Sequence, residues 1–340
     1  MKRNKPVLGL TMGDPAGIGP EICLAALGSE VVKRVCIPVL FGDAGILRRV
    51  AGHGFKTWED AVITLPEFEA MDPVKKPCVV DCRAVDARKV RPGRIAAACG
   101  RASYAYIESA VRQAMAGRIQ GVVTAPIHKE SLNLSGVKHP GHTEIFTALT
   151  GARRSCMMLY SDVLTVTMAT THVGYVDAPG KLTVERILAV IELTAQAMRT
   201  MLGREPRLGV CGLNPHAGEH GLFGRREEER LVAPAVRRAR LRKIKVEGPL
   251  VPDAVFTIHQ RKRYDAVVTL YHDQGHIPFK MLAFDTGVNL TLGLPIVRTS
   301  VDHGTAFDIA WKGKADPGSM FSAVKVAALL ASRKKTKESL

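Results

Sequence analysis

A chain of 340 residues is too long for one simple hydrophobic core, so the length predicts two lobes of ordinary domain size. With 46% hydrophobic residues the chain can bury a large core, which argues against disorder, and no apolar run approaches the roughly 20 residues of a membrane span. The net charge of +16 would suit nucleic acid, anionic small molecules or a soluble surface. Because the basic clusters carry no interleaved aromatic residues and match no nucleic-acid motif, we expect a solvated surface rather than a nucleic-acid partner.

The cysteines and the first residues of the chain indicate the cellular compartment in which the protein is expected. Seven cysteines are scattered along the chain without a CxxC pair, which predicts reduced thiols and neither a disulfide framework nor a thiolate metal site. The chain enters its first strand without the apolar region of a signal peptide. We therefore expect a cytoplasmic protein.

The first half of the chain alternates apolar, β-branched runs with helical periodicity. Predicted strands cover residues 6–13, 35–41, 62–65, 78–81 and 121–126. Predicted helices cover residues 22–27, 95–116 and 145–149.

The second half continues this alternation. Strands 156–160 and 163–169 are predicted to pair as a hairpin, and further strands are predicted at 207–212 and 266–270. Helices are predicted at 182–202 and 225–242, a turn at 248–253, and a core segment at 287–298. The alternation predicts the α/β class with a mostly parallel sheet.

A glycine-rich turn, residues 13–21, connects the first strand to the first helix. Strand, glycine turn and helix form the layout of a phosphate-binding turn, although the spacing is neither GxGxxG nor a P-loop. Its candidate ligand-binding residues are Gly13, Asp14, Gly17 and Gly19. The alternative is that the glycines only permit a tight turn.

Three histidines each follow the end of a predicted strand: His172, His216 and His272. Three imidazoles with an open coordination position suit a catalytic divalent ion, and they do not distinguish zinc, cobalt, nickel, manganese or magnesium. Asp253 and Asp273 are candidate carboxylates for orienting the rings. The alternative is an ordinary polar turn after each strand, because the spacing of the histidines is not a local motif.

A further polar segment, residues 139–144, opens a predicted helix. His142 or Thr143 lies near the helix N-terminus, where backbone N–H groups favour an anion. An ordinary helix cap supplied by Thr143 is the alternative.

Residues 301–317 resemble the adenosine-binding loop of the β-decarboxylating dehydrogenases, the isocitrate and isopropylmalate dehydrogenase group. The resemblance implies that His303, Gly304 and Asp308 hold the adenosine of NAD, and that the glycine turn is that group's N-terminal glycine loop. An acidic residue near the ribose, for which Asp302 and Asp308 are both available, would favour NAD over its 2′-phosphate form.

Nearly the whole chain resembles the 4-hydroxythreonine-4-phosphate dehydrogenase (PdxA) family. The resemblance rests on residues 13–21, 124–129, 141–144, 169–172, 212–219, 271–275, 287–300 and 303–316. It implies that His172, His216 and His272 bind a divalent metal. It also implies that the substrate phosphate is held by His142, Thr143, Lys280, Asn289 and Arg298.

The resemblance has further consequences for the fold and the assembly. It implies a two-lobed α/β/α fold like that of the isocitrate and isopropylmalate dehydrogenases, with the active site in the cleft between the lobes. Residues 1–129 with 298–340 would form the cofactor lobe, and residues 130–297 the metal-binding and dimerisation lobe. The family is dimeric, with an active site completed across the subunit interface.

The implied reaction is an NAD-dependent, metal-assisted oxidation of a phosphorylated hydroxy acid, with decarboxylation. His139-Pro140 and residues 275–278 resemble the branch of the family that acts on 4-phospho-D-threonate or 4-phospho-D-erythronate. The alternative substrate is 4-hydroxy-L-threonine 4-phosphate, from vitamin B6 biosynthesis. A cis-dihydrodiol dehydrogenase and a basic nucleic-acid-binding protein are remoter alternatives. The general base stays open between Asp273 and Asp253.

Overall fold

The computed structural model describes residues 5–52, 61–139 and 141–338, and the side chains of residues 334–338 are not described. The chain divides into two compact units, one of Met1–Ala152 with Leu294–Leu340 and one of Arg153–Gly293. Pro140, which the sequence analysis used to distinguish substrate branches, lies outside the described residues.

The strands are β1 (Val7–Thr11), β2 (Ile37–Gly42), β3 (Ala61–Thr64), β4 (Cys78–Asp81), β5 (Gly121–Thr124), β6 (Cys156–Tyr160), β7 (Thr165–Met168), β8 (Arg207–Cys211), β9 (Lys245–Leu250), β10 (Ala266–Thr269), β11 (Val288–Leu292) and β12 (Val297–Val301).

The α-helices are α1 (Gly19–Gly28), α2 (Glu30–Val35), α3 (Ala44–Ala51), α4 (Leu65–Ala70), α5 (Ala97–Met115), α6 (Lys129–Leu134), α7 (His142–Thr150), α8 (Val184–Leu202), α9 (Ala233–Leu241), α10 (Pro252–Val255), α11 (Ile258–Arg261), α12 (His272–Ala283) and α13 (Gly318–Glu338).

The sheet of the first unit has the strand order β3-β4-β2-β1-β5-β12, and its strands are all parallel. Thr124 lies opposite both Thr11 and Ser300, so β1, β5 and β12 end at the same level. β1 and β5 are buried along their whole length, as parallel strands covered on both faces are. The loops that follow these three strands therefore leave the sheet at one edge, the usual place for ligands.

The sheet of the second unit has the order β11-β6-β7-β10-β8-β9. β11, β6 and β7 are antiparallel neighbours, whereas β7, β10, β8 and β9 run parallel. One face packs around a buried cluster that includes Leu159, Val166, Met168, Val267 and Phe279. The observed pairing of β6 with β7 confirms the predicted hairpin, and the two sheets confirm the α/β class.

One prediction of secondary structure is wrong, and another is confirmed with a difference in the type of helix. The turn predicted at 248–253 is in part the edge strand β9, which pairs in parallel with β8. Glycine permits this pairing, because a Cβ at Gly248 would lie 2.7 Å from the carbonyl oxygen of Val210. The helix predicted at 225–242 consists of a π-helical turn, Glu228–Val232, followed by α9.

Helix α12 changes the interpretation of the polar segment after β10. This segment begins a helix at His272 and continues through Pro278, so His272, His276 and Lys280 follow one another at four-residue intervals along one helix. Within the described ranges, no helix combines the length and apolar character that crossing a bilayer requires.

Candidate active site

The three predicted metal ligands follow three neighbouring parallel strands. His172 follows β7, His272 follows β10 and His216 follows β8, and β10 lies between the other two strands. The ring centres of His172 and His272 lie 6.0 Å apart. Two imidazoles that each place a nitrogen about 2.1 Å from one ion hold their ring centres about 5–6 Å apart, so this pair fits a shared divalent ion.

His216, the third predicted ligand, does not form a metal-binding group with His172 and His272 in the structure. In the described part of the chain, no three His, Cys, Asp or Glu side chains are close enough together to hold a metal ion as they stand. A cavity of about 350 Å³ lies beside His172 and His272 and is also lined by Thr171, Tyr175 and Tyr271. The metal centre stays a prediction that is supported by two adjacent ligands and by their imidazole chemistry.

The tautomer of His272 suits metal binding. Its Nδ1 lies 2.6 Å from Oδ1 of Asp273, so a proton on Nδ1 is donated to the carboxylate and the lone pair remains on Nε2. This contact supports Asp273 as the carboxylate that orients the His272 ring, and the assignment stays a prediction. The other candidate, Asp253, is exposed on α10, which packs against the turn that carries His216.

His276 also lies at this site, although no pattern in the sequence predicted it. Its ring stacks on His272, with centroids 3.7 Å apart and planes 8° apart, and its Nδ1–H donates to the carbonyl oxygen of His272. Burial, together with the charge of His272, lowers the pKa of His276 to about 4, which favours the neutral ring at neutral pH. The spacing of four residues is the signal that would have indicated this contact, once the segment is known to be helical.

His216 belongs to a left-handed turn. Residues 216–220 all have positive φ, and the values are 52°, 54°, 81°, 38° and 55° in order. Only Gly218 adopts this conformation without a steric penalty, which for the other residues is about 1–2 kcal/mol each. Such strain persists only where the surroundings impose it, so contacts outside the turn must hold it in place.

The carboxylate of Glu228 supplies those contacts. It is buried, and Oε1 accepts hydrogen bonds of 2.8 Å from the backbone N–H groups of both Leu213 and Asn214. The Asn214 side-chain amide also donates to Oε2, at 3.1 Å. A Cβ at Gly218 would lie only 2.5 Å from Oε2, so the turn is packed directly against this carboxylate.

A cluster of five residues in the first unit suits an anion: Thr124, His142, Glu144, Phe146 and Arg298 (the Arg298 cluster). The Arg298 guanidinium is buried, donates to Thr124 Oγ1 at 2.9 Å and lies 5.5 Å from the ring centre of Phe146. His142 is the first residue of α7. The N-cap is Gly141, which has no side chain with which to cap the helix. Thr143 is therefore not the cap, and because the first N–H groups of any helix have no partner within it, the start of α7 suits an anion.

Burial shifts the pKa values of two ionisable groups in the Arg298 cluster. Burial lowers the pKa of Arg298 to about 9, while the nearby charge of Glu144 acts to raise it. Burial and, second, the charge of Arg298 lower the pKa of His142 well below its usual range. His142 Nε2 is shielded from solvent and makes no hydrogen bond within the described ranges. An anion placed here would stabilise the desolvated guanidinium and give this ring nitrogen a partner.

The remaining predicted phosphate residues lie in the second unit. Lys280 is exposed on α12, with Nζ 5.5 Å from the ring centre of Phe284. Asn289 is half-buried in β11, opposite Leu159 of β6.

The predicted glycine loop, residues 13–19, is buried beneath the loop that follows β12. The N–H of Ile18 donates to the carbonyl oxygen of Thr305, and a Cβ at Gly17 would lie 2.9 Å from the same atom. Asp14 accepts a 2.9 Å hydrogen bond from the N–H of Ala16, and burial raises the pKa of its carboxyl. Gly13, Asp14, Gly17 and Gly19 thus have a packing role, and their contact with a cofactor stays a prediction.

The predicted adenosine residues present free groups on the loop after β12. His303 donates from Nδ1–H to the carbonyl oxygen of Gly304, and no hydrogen bond to its shielded Nε2 exists among the residues described. An acceptor nitrogen in this position suits the exocyclic amino group of adenine, which is a hydrogen-bond donor. Gly304 and Asp308 are exposed, and a Cβ at Gly304 would meet open space. These residues fit an adenine nucleotide.

Polar and ionisable side chains gathered beyond the carboxyl ends of parallel strands define the organisation of an α/β enzyme. The family model described as "Pyridoxal phosphate biosynthetic protein PdxA" matches residues 34–327. The chain therefore belongs to the PdxA family, whose members among its relatives are named dehydrogenases, and it is an oxidoreductase.

Individual relatives cover almost the whole chain. It is 44% identical over 337 residues to the 4-hydroxythreonine-4-phosphate dehydrogenase of Desulforapulum autotrophicum, covering 97% of each chain. It is 43% identical over 332 residues to the D-threonate 4-phosphate dehydrogenase of Cupriavidus necator, covering 97% of this chain and 98% of the relative. A crystal structure of the 4-hydroxythreonine-4-phosphate dehydrogenase of Klebsiella pneumoniae is 40% identical, with a TM-score of 0.83 over 96% of this chain and 100% of that chain.

We predict that Glu228→Ala lowers the free energy of unfolding by about 2–4 kcal/mol, because it leaves the buried N–H groups of Leu213 and Asn214 without acceptors. Glu228→Gln should cost about 1–2 kcal/mol, because the charge-assisted character of these bonds is lost. Chemical denaturation measures the energies, and hydrogen exchange of the two amides locates the effect.

The matched control is Glu229→Ala, since Glu229 is adjacent and exposed. It should change the free energy of unfolding by less than about 0.5 kcal/mol. Equal losses for the two alanine variants would contradict the role given to Glu228.

Proposed function

We propose that this protein catalyses the NAD-dependent, divalent-metal-assisted oxidation and decarboxylation of a four-carbon phosphorylated hydroxy acid, of the 4-phospho-D-threonate or 4-phospho-D-erythronate type. The observation that carries the proposal is the Arg298 cluster, a buried guanidinium beside the first turn of α7, in a chain of a dehydrogenase family. The name of the Cupriavidus relative, D-threonate 4-phosphate dehydrogenase, supports the substrate type.

In this proposal the phosphate binds at Arg298 and His142. A guanidinium can grip two phosphate oxygens, and Thr124 and Phe146 fix its plane from two sides. The N-terminus of α7 adds a favourable dipole and free N–H groups. Thr143, Lys280 and Asn289 are proposed as further phosphate contacts on the strength of the family resemblance.

The reaction removes the hydroxyl proton and transfers a hydride from the same carbon to NAD⁺, which yields a ketone and NADH. A carboxylate two carbons away makes the product a β-keto acid, and this product then loses CO₂. When bound at His172, His216 and His272, a divalent ion supplies Lewis acidity. Asp273, which accepts from His272, and Asp253 are the candidates for the base that receives the proton.

The alternative substrate is 4-hydroxy-L-threonine 4-phosphate, for which the Desulforapulum relative is named. This compound carries an ammonium group at the carbon where threonate carries a hydroxyl. A site for the ammonium requires an acceptor or a carboxylate. The neutral ring of His276 donates its Nδ1–H to the carbonyl oxygen of His272 and keeps an acceptor at Nε2, which suits a hydroxyl or an ammonium alike.

A homodimer with an active site completed across its interface is part of the proposal. The second unit exposes large apolar side chains on α12 and on the loop after β7, among them Val176 (89% exposed), Met281 (81%) and Phe284 (62%). Exposed apolar side chains of this size support the proposal of an interaction surface on the second unit. A cytoplasmic location, predicted from the scattered cysteines, is also proposed.

We expect the purified protein, supplied with NAD and a divalent ion, to form NADH with 4-phospho-D-threonate or 4-phospho-D-erythronate. The value of kcat/KM should exceed that for 4-hydroxy-L-threonine 4-phosphate, and a chelator should abolish the activity. Absorbance of NADH at saturating cofactor measures the rates. If neither phosphorylated class is oxidised, the proposed function is wrong, and if the B6 precursor is preferred, the alternative is correct.

Inorganic phosphate should raise the melting temperature of the wild-type protein more than chloride of equal ionic strength does, because it binds the Arg298 cluster only in the folded state. Arg298→Lys should lose this increment, since lysine cannot grip two oxygens in one plane. Differential scanning fluorimetry measures the phosphate-dependent shift, which is independent of the stability of each variant.

Arg101→Lys is the control, because Arg101 is an exposed arginine of the same unit. It should keep the wild-type response to phosphate. An undiminished phosphate shift in Arg298→Lys would contradict the assignment of Arg298.

Met281→Lys should weaken the proposed dimer, because it introduces a charge into the apolar surface of α12. Light scattering coupled to size-exclusion chromatography gives the mass at several concentrations. Leu241→Lys is the matched control, since Leu241 is 84% exposed on α9, and it should leave the mass unchanged. A wild-type monomer at all concentrations would rule out the dimer.

A further inference from the structure

Trp311, in the loop after β12, combines two properties that rarely occur together. Its side chain is buried, with 3% of its surface exposed, and its backbone is left-handed, with φ at +62°. For a bulky L-residue this conformation is a genuine outlier, and the surrounding contacts must impose it.

Those contacts lead to the glycine loop. The backbone N–H of Trp311 donates to Oε2 of Glu21 at 3.0 Å, and the indole Nε1–H donates to the carbonyl oxygen of Pro15 at 3.1 Å. The N–H of Gly313 donates to the other carboxylate oxygen of Glu21, at 2.8 Å. Glu21 is fully buried, so one desolvated carboxylate holds two amides of the same turn.

A third segment is joined to the same indole. The Arg49 guanidinium lies 4.6 Å from the ring centre of Trp311 and donates to the carbonyl oxygens of Ala87 and Val90. Further along that segment, the N–H of Gly93 donates to the carbonyl oxygen of Ala16 at 2.8 Å. The indole is thus the point at which the segments around residues 13–21, 87–93 and 303–313 are held together.

We infer that Trp311 is a positioning residue for nicotinamide dinucleotide binding: it fixes the loop of residues 303–313 in the arrangement that presents His303, Gly304 and Asp308 to the adenosine half of the cofactor. The inference rests on the proposed function, which assigns NAD to these residues. Trp311 itself is buried and acts through the loop. A loop ordered in advance does not lose conformational freedom when the ligand binds, and this is the source of the affinity it contributes.

The positioning role of Trp311 predicts effects of graded size in three variants. Trp311→Gly removes the indole and makes the left-handed backbone favourable for a residue without a Cβ, so it separates the ring contacts from the backbone strain. Trp311→Phe keeps a ring over Arg49 and the N–H bond to Glu21 but loses the bond to Pro15. Glu21→Gln keeps the size of the acceptor and removes its charge.

Isothermal titration calorimetry with NAD is the first measurement. The dissociation constant should rise about tenfold to hundredfold in Trp311→Gly and Glu21→Gln and by a smaller factor in Trp311→Phe. The value of kcat at saturating NAD should stay within about twofold of wild type, because the reacting groups are unchanged. Lys314→Ala, at an exposed lysine of the same loop, should bind NAD like the wild type.

Hydrogen exchange without any ligand is the second measurement. The amides of Trp311 and Gly313 should exchange faster in Trp311→Gly and Glu21→Gln, which shows that the loop is released even if a variant is too unstable for calorimetry. Wild-type affinity for NAD in a variant whose loop amides exchange faster would overturn the inference alone. Failure of the wild-type protein to bind NAD would overturn the proposed function, and this inference with it.

Discussion

Two buried carboxylates, one in each unit, determine the course of the loops that carry the candidate functional residues. Glu228 accepts from the amides of Leu213 and Asn214, and Glu21 accepts from those of Trp311 and Gly313. A carboxylate removed from water is costly unless it is hydrogen-bonded, and backbone amides at the start of a loop can supply the bonds. The loop geometry and the burial of the charge therefore depend on each other. Neither segment can relax without exposing unsatisfied polar groups in the protein interior.

Both carboxylates hold backbone that L-residues avoid. The turn that carries His216 is left-handed over residues 216–220, and Trp311 is left-handed within the loop after β12. Relaxation would remove a penalty of about 1–2 kcal/mol for each such non-glycine residue, but it would break charge-assisted hydrogen bonds of comparable strength. The balance explains how these strained segments persist. Each strained segment also lies in a loop that the sequence predicted to be functional, which is where backbone strain tends to occur in proteins.

The sequence predicted those features that depend on local pattern. β4 and β6 have their predicted bounds, and α8 begins two residues after its predicted start, because an apolar run or a 3.6-residue period is visible in the sequence itself. β9 was missed because its pairing with β8 depends on the close approach of Gly248 to Val210. The left-handed turn was also missed, because its cause is a carboxylate at Glu228, several residues beyond the turn. Helices α6 and α7 pack on α5 in the first unit, whereas the lobe boundary implied by the family resemblance lies between residues 129 and 130.

Burial affects the charge of Arg298 differently from the charges of Glu21 and Glu228. At Glu21 and Glu228 the protein's own amides compensate the desolvated charge, whereas desolvation lowers the pKa of the Arg298 guanidinium even with Glu144 nearby. Burial and, second, the positive charge of Arg298 lower the pKa of His142, so the cluster does not accumulate a second cation next to the first. A phosphate ester carries about −1.5 to −2 charges at neutral pH, which the guanidinium and the N-terminus of α7 attract, whereas Glu144 of the same cluster opposes them. The cluster therefore suits a phosphate through hydrogen bonds, because a phosphate can accept from the guanidinium and from the first turn of α7 at the same time.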